Sequence, residues 1–233
     1  MIGAPRVHHR VADSTNERAK ELAAAGAPHG TVVTADEQTA GRGRQGRAWS
    51  APRRAAVLMS VIVRDLGDSA AMLPLAAAVA ACEACESVSG VRCEIKWPND
   101  VWVDGRKLAG ILVEARPTAG WAVVGIGLNV STTEDEFPAE LRETATSLRA
   151  AAGVAPSVED VIEALLGALD RWLGAPPAEV LNAWRTRDAL RGKQLRWQNG
   201  SGVAAGVDDS GALIVDTPGG RETLDAGEVH LET

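Results

Sequence analysis

The sequence predicts an α+β fold, a sheet-and-helix body followed by a small all-β unit. Three observations predict it. Between residues 92 and 130, strand-like runs follow one another across short turns, as in an antiparallel or mixed sheet and unlike alternating βαβ units. Helical patterns with their own start signals interrupt the strands at 14–25, 70–88, 157–173 and 177–190. After Gly192, five short runs split by turn residues read as a small barrel. A chain of 233 residues can fill a large domain and a small one, expected at 1–189 and 190–233.

The elements follow in order. Ser14-Thr15-Asn16-Glu17 reads as a capping box, with a helix to about Ala25 and Gly26 as its stop. Residues 31–37 form a strand, 38–54 a loop rich in Gly and Arg, and 55–63 a strand. Helix 70–88 tolerates Pro74 because it falls in the first turns. Strand 92–97 runs into Pro98-Asn99-Asp100, and Asp104-Gly105-Arg106 joins strands 101–103 and 107–115 as a hairpin. Strand 121–130 and a short helix at 148–152 follow. Ser157 caps the next helix, and Pro177 opens the last one near its first position. The terminal strands are 193–198, 202–207, 212–216, 221–225 and 229–231.

Composition narrows the function. Hydrophobic residues make up 45% and charged residues 24%, as in globular proteins. Gly, Pro or charges break every apolar run, and the first ten residues have no signal-type stretch. A cytoplasmic protein with no membrane partner is expected. The net charge of −7 argues against a general nucleic-acid binder. Yet Arg42, Arg44, Arg47, Arg53 and Arg54 fall within thirteen residues that contain no acid, a local cation cluster suited to a small anion. Of the three cysteines, Cys82 and Cys85 share one helix face and read as small apolar side chains. A metal site would need two more ligands, and His8, His9, His29 and His230 offer no matching pair. Only four lysines stand against twenty arginines, and two of them, Lys96 and Lys107, sit in the most motif-like segment.

Three segments carry chemistry. The 41–47 run matches G-x-G-x-x-G but lacks the strand before it and the helix within it that a dinucleotide fold requires. Its glycines can turn backbone N–H groups inward, and its guanidiniums add forked donors, which makes an anion clamp or else a solvated basic loop. Lys96 and Lys107 flank a hairpin and can converge on one pocket, while Gly110 marks a close approach within a strand. Gly125 and Gly127 share a strand face. They leave either a slot for a flat ring or room for tight packing.

Together these segments resemble the biotin–protein ligases. The resemblance rests on Ser14-Thr15-Asn16, Gln38 with the 41–47 run, Lys96-Trp97-Pro98-Asn99-Asp100, Lys107-Leu108-Ala109-Gly110-Ile111 and Gly125-Ile126-Gly127-Leu128-Asn129, in that order and spacing, over residues 11–231. It implies a catalytic domain related to class II aminoacyl-tRNA synthetases and an SH3-like domain after it. It implies ATP and biotin as substrates with Mg²⁺, and a biotin carboxyl carrier domain of an acyl-CoA carboxylase as acceptor. By the resemblance Lys107, Arg42 and Arg44 are catalytic. Ser14, Thr15, Asn16, Gln38, Arg42, Gly43, Arg44, Lys107, Gly110 and Gly127 hold biotin. Arg44, Arg47, Trp49, Lys96, Asn99 and Asn129 face ATP, with Trp49 stacked near the adenine and no dedicated metal ligand. Some members of that family carry an N-terminal DNA-binding domain; thirteen residues before Ser14 are too few for one, so no DNA partner is expected. The competing readings are a lipoate-type ligase and a non-catalytic biotin- or nucleic-acid-binding module. The sequence carries no mark of oligomeric state.

Overall fold

The computed structural model describes residues 1–225 and 227–232, the side chains of 67–69 excepted. Ala226 and Thr233, both within the expected second unit, lie outside the described residues. Seven strands form the main sheet: β1 (Arg6–His9), β2 (Val32–Ala35), β3 (Ala56–Arg64), β4 (Glu94–Lys96), β5 (Asp100–Val103), β6 (Arg106–Arg116) and β7 (Trp121–Asn129). Their order is β1-β2-β3-β7-β6-β5-β4. β1 and β2 run parallel and every other pair is antiparallel, so the sheet is mixed. β1 lacks an apolar pattern and was not expected from the sequence. It is an edge strand held by its backbone pairing to β2. The β5–β6 turn places Asp104 (φ 50) and Gly105 (φ 75) in the left-handed region, as a two-residue hairpin requires.

Five helices pack on this sheet: α1 (Thr15–Ala24), α2 (Leu73–Ser89), α3 (Leu148–Ala152), α4 (Val158–Trp172) and α5 (Pro177–Arg185). Strand alternation sorts the two faces. Val57, Met59, Val61 and Val63 of β3 join Val124, Ile126 and Leu128 of β7 in the large core with α2 and α4. Ile62 and Val123 point the other way, into a smaller cluster with Ala19 and Ala23 of α1. Gly125 and Gly127 therefore face the α1 side. The segment Ala70–Ser89 is long and apolar enough to cross a bilayer by length and composition, though Pro74, Glu83 and Glu86 interrupt it as expected. It packs as a core helix, with Leu73, Leu75, Val79, Cys82 and Cys85 buried.

Two helix ends differ from the sequence pattern. Ser14 is the N-cap of α1, but its side chain caps nothing, and Glu17 reaches Lys20 and Arg42 instead of the backbone. Two ion pairs, one along the helix to Lys20 and one tertiary to Arg42, outcompete the capping box there. α5 stops at Arg185 because residues 187–189 extend to pair with Ile95, whose N–H donates to Arg187 O at 2.7 Å. Ser157 does cap α4, accepting from Asp160 N at 3.0 Å.

The second sheet holds β8 (Gln194–Trp197), β9 (Gly200–Val207), β10 (Leu213–Thr217), β11 (Gly220–Leu224) and β12 (His230–Leu231), all antiparallel in the order β11-β10-β9-β8-β12. Leu195, Ala204, Leu213, Val215 and Val229 belong to the same buried cluster as α2, so the apolar core runs on between the two sheets. Trp97 Nε1 donates to Gly211 O at 3.0 Å, and Arg185 reaches Asp209 and Val207 O.

Candidate active site

One cavity gathers almost every residue singled out by sequence. Its floor is neutral and polar, where the start of α1 meets β3. Gln38 Oε1 accepts from Thr15 N at 2.7 Å and from Thr15 Oγ1 at 3.1 Å. Ser60 Oγ lies 2.8 Å from Thr15 Oγ1 and 2.6 Å from Asn16 Oδ1. Ser14, Thr15 and Asn16 are buried, and all three line the cavity.

The two glycine positions resolve into different neighbours. A Cβ on Gly125 would stand 2.0 Å from Asn16 Oδ1, and one on Gly127 would stand 2.4 Å from the Trp49 indole. Gly110 pairs with Gly127 across β6 and β7 and also lies beneath Trp49, 3.3 Å from a built Cβ. The slot expected for a flat ring is thus present, and here Trp49 occupies it. The free volume is about 120 Å³, small beside the roughly 300–1,000 Å³ of typical ligand pockets, because that indole fills the space. Trp49 Nε1 is buried without a hydrogen-bond partner, which leaves a donor for an incoming acceptor.

The arginine loop is a tight excursion. Trp49 N donates to Gly41 O at 3.0 Å and Gly43 N to Arg47 O at 2.7 Å, with Gln45 (φ 55) and Gly46 (φ 76) left-handed at the tip. A Cβ on Gly41 would meet Trp49 O at 2.3 Å, so the closure requires glycine. The five arginines divide into two groups. Arg53 and Arg54 pair with Asp36, away from the cavity. Arg42, Arg44 and Arg47 line it. Arg42 pairs with Glu17 at 2.5 Å, Arg44 donates to Asn99 Oδ1 at 2.8 Å and to Gly227 O at 3.3 Å, and Arg47 pairs with Glu228. Burial holds the Arg44 pKa below its ordinary value, with Arg47 adding to the effect and Asp100 opposing it. A half-buried cation so placed gains from an arriving anion.

The hairpin supplies the lysines. Lys107 at the start of β6 pairs with Asp100 at 2.8 Å, its ammonium 5.8 Å from the centre of the Trp49 ring. Lys96 at the end of β4 lies over Trp102 at 5.3 Å. Burial lowers its pKa, Asp100 opposes this, and the charges of Lys107 and Arg47 reinforce it. Of the expected residues only Asn129 stays outside the cavity lining. Its Nδ2 donates to Thr146 O at 3.0 Å, in the segment that clamps Lys107: Lys107 N donates to Thr144 O, and Thr146 N to Lys107 O.

Several contributors had no prior sequence signal. Glu228 and Gly227 arrive from the far end of the chain, Lys20 and Glu114 carried no site signal, and Glu17 was expected only as a capping residue of α1. Ser60 was the most legible of those missed, a lone polar residue within the apolar run of β3.

A neutral polar floor beneath converging arginines and lysines, on a mixed sheet joined to a small β unit, defines an enzyme that brings anions together: a ligase. The biotin/lipoate A/B protein ligase family matches residues 8–131, and the biotin protein ligase C terminal domain matches residues 198–231. The chain belongs to this family. It is 37% identical over 235 residues to the biotin--[acetyl-CoA-carboxylase] ligase of Paracoccus denitrificans, covering 94% of this chain and 97% of that one. It is 36% identical over 246 residues to the bifunctional ligase/repressor BirA of Bacillus subtilis, covering 99% of this chain and 75% of the relative. The structure of the biotin protein ligase from Aquifex aeolicus in complex with biotin and ATP matches at a TM-score of 0.85 and 26% identity, over 98% of this chain and 99% of that one. The fold is accordingly a class II aminoacyl-tRNA synthetase-like catalytic body with an SH3-like module after it.

Proposed function

We propose that this chain joins biotin to ATP as biotinyl-5′-AMP and then transfers the biotinyl group to a lysine of a biotin carboxyl carrier domain. The observation that carries the reading is the convergence of Arg42, Arg44, Arg47, Lys96 and Lys107 on one cavity with an uncharged floor. A carboxylate and a triphosphate repel each other. One cation about 4 Å from an anion is worth roughly 4 kcal/mol at an effective dielectric near 20, so a few such groups offset that repulsion.

In this reading Ser14, Thr15, Asn16 and Gln38 take the ureido ring, with Gly110 and Gly127 giving the floor of the slot. Lys107, Arg42 and Arg44, with the Gly43 backbone, hold the carboxylate and the α-phosphate. The carboxylate oxygen bonds to the α-phosphorus as the bond to the bridging oxygen breaks and pyrophosphate leaves. The deprotonated carrier lysine then bonds to the acyl carbon, and AMP departs with the electron pair. Arg47, Lys96 and Asn99 lie on the nucleotide side. Trp49 leaves the slot and stacks on the adenine. Asn129 acts there by fixing the 144–146 segment behind Lys107. Charge placement and alignment supply most of the acceleration, and the covering loop keeps water from the mixed anhydride.

Among the described residues no cluster of three or more His, Cys, Asp or Glu could hold a metal by itself. Asp100 and Glu228 line the cavity, which fits a magnesium ion that brings phosphate oxygens as most of its ligands. Those two carboxylates would complete its shell. When bound, such an ion would screen the phosphate charge and ease pyrophosphate departure.

The carrier domain of an acetyl-CoA carboxylase is the acceptor suggested by the names of the relatives. We assign the catalytic body to 1–189 and the SH3-like module to 190–233, in a cytoplasmic, reducing setting that suits three unpaired cysteines. Biotin-dependent ATP–pyrophosphate exchange tests the proposal. Exchange with biotin and none with lipoate is expected; exchange driven by lipoate alone, or by neither acid, would overturn it.

A further inference from the structure

A chain of charged side chains with alternating sign runs from the arginine loop to the pocket floor. Arg42 pairs with Glu17 at 2.5 Å, and Glu17 also holds Lys20 at 2.7 Å. Lys20 Nζ reaches Glu114 Oε1 at 2.8 Å, and Glu114 Oε2 accepts from Asn16 Nδ2 at 2.9 Å. Glu114 projects from β6 and Lys20 from α1, with side chains 28% and 17% exposed, so the contacts are only partly screened by water. Burial pushes the Glu114 carboxyl up. The hydrogen bonds from Lys20 and Asn16, with the charges of Lys20 and Arg42, outweigh it and hold the group below its ordinary range. Glu114 is therefore an acceptor at neutral pH.

That fact fixes the floor. Asn16 is 4% exposed, and its amide stands between Glu114, with Leu112 O at the longer distance of 3.4 Å, on one side and Ser60 on the other. A carboxylate cannot face an amide oxygen, so Nδ2 must turn to Glu114 and Oδ1 to Ser60. Ser60 has a single proton and two acceptors within reach, Asn16 Oδ1 and Thr15 Oγ1. With Oδ1 held toward it at the shorter distance, the Ser60 proton goes to Asn16, and the Thr15 proton is shared between Ser60 Oγ at 2.8 Å and Gln38 Oε1 at 3.1 Å. Were Asn16 reversed, its Nδ2 would donate to Ser60, and the Ser60 proton would pass to Thr15. The donor and acceptor pattern offered to a cyclic urea would change although no atom in contact with it had been replaced.

We infer that Glu114, steadied by Lys20, is a positioning residue that sets the hydrogen-bond polarity of the Asn16–Ser60–Thr15–Gln38 floor and thereby the affinity for the ureido ring. The inference rests on reading the cavity as a biotin site. Because Lys20 is shared with Glu17, the same chain ties that floor to Arg42, the cation awaiting the acid group at the other end of the ligand.

The test is steady-state pyrophosphate exchange with biotin and ATP titrated separately, alongside thermal melting. Glu114→Gln keeps the shape but can donate to Asn16 Oδ1, so the reversed amide is opposed only by the longer contact of Asn16 Nδ2 with Leu112 O at 3.4 Å. It should raise the KM for biotin about tenfold, the scale of one charged hydrogen bond, while the KM for ATP moves less than about twofold and kcat falls less than KM rises. Lys20→Met leaves the Asn16 contact and removes its support; a smaller rise of about threefold, again confined to biotin, is expected. Should Glu114→Gln fail to fold, Lys20→Met alone decides. An unchanged biotin KM, or equal rises for biotin and ATP, would overturn the inference. A wild-type chain with no biotin-dependent exchange would instead overturn the reading of the cavity itself, and this inference with it.

Discussion

Among the described residues Lys107 has one anionic partner, Asp100, and its backbone is clamped by the 144–146 segment. An ammonium this well placed and still a third exposed is available to a ligand without costing the fold its support. Lys107→Ala should lower biotin-dependent exchange by more than about 100-fold, in line with the loss of one preorganised charge from a reacting centre. Its melting temperature should stay within a few degrees of wild type; retained exchange would remove the residue from the chemistry. The lysine was legible in the sequence because a chain that favours Arg kept Lys there, beside a hairpin signal and a glycine. Glu114 was not. Its importance comes from Asn16, ninety-eight residues away in sequence, and periodicity reports nothing about a neighbour that distant.

At the scale of the element, strand β7 and the arginine loop make one device. The loop's only large side chain at the slot, Trp49, rests on the cross-strand pair Gly110 and Gly127. Gly127→Ala would push a methyl into the indole at 2.4 Å, and β7 is a central strand that cannot shift. Once Trp49 has left, the same methyl stands in the slot given to the biotin ring; overpacking of this kind costs about 1–3 kcal/mol, so binding of biotin weaker by about fivefold or more is expected in calorimetry. Wild-type affinity for biotin in that variant would mean that the ring does not use this slot. The loop itself should become more resistant to proteolysis when both substrates are added, since Arg42, Arg44 and Arg47 would exchange protein partners for phosphate and carboxylate. Equal cleavage with and without ligand would count against the clamp. The sequence pattern marked the loop and the glycine strand as separate features, each with a bland alternative. That they stack on each other depends on which face of β7 lies opposite α2.

Over the whole molecule, the SH3-like module completes the site's surroundings. Its hairpin tip rests on α2 at Gly211 (φ 88), where a Cβ would meet Leu75 at 2.7 Å, and Glu228 and Gly227 reach the loop arginines. Gly211→Val combines a forbidden backbone angle with that clash. It should destabilise the chain by about 2 kcal/mol or more and reduce exchange even where the protein is still folded, as judged by denaturant unfolding beside activity. Normal exchange in a folded Gly211→Val protein would separate the module from catalysis. Acid stability also belongs to the whole chain. Asp13, Glu114, Glu159 and Asp208 all sit below the ordinary carboxylate range, Asp13 and Glu159 chiefly through Arg18 and Arg6, while for Glu114 and Asp208 burial pushes upward and their hydrogen bonds prevail. The unfolded chain therefore binds more protons than the folded one in acid. Their contribution is present above the unfolded carboxylate values, about 4, and is lost as pH falls through the lower folded ones. The melting temperature should be level with respect to these groups from neutrality to about pH 5 and should drop below about pH 4. A melting temperature that rises on acidification would contradict it.

The sequence by itself determined the α+β class, most strand and helix positions, the hairpin, the arginine loop and the lysines, because these depend on local periodicity, turn chemistry and short spacing. It also carried five segments whose order pointed to the family. Tertiary structure alone decided that Trp49 sits on Gly127, that Asn16 fills the space above Gly125, that Arg53 and Arg54 leave the cluster for Asp36, and that carboxylates from residues 17, 114 and 228 govern the cavity. Those outcomes turn on which side chains meet across strands and between sheets, where distances of a few ångströms separate groups that lie far apart along the chain.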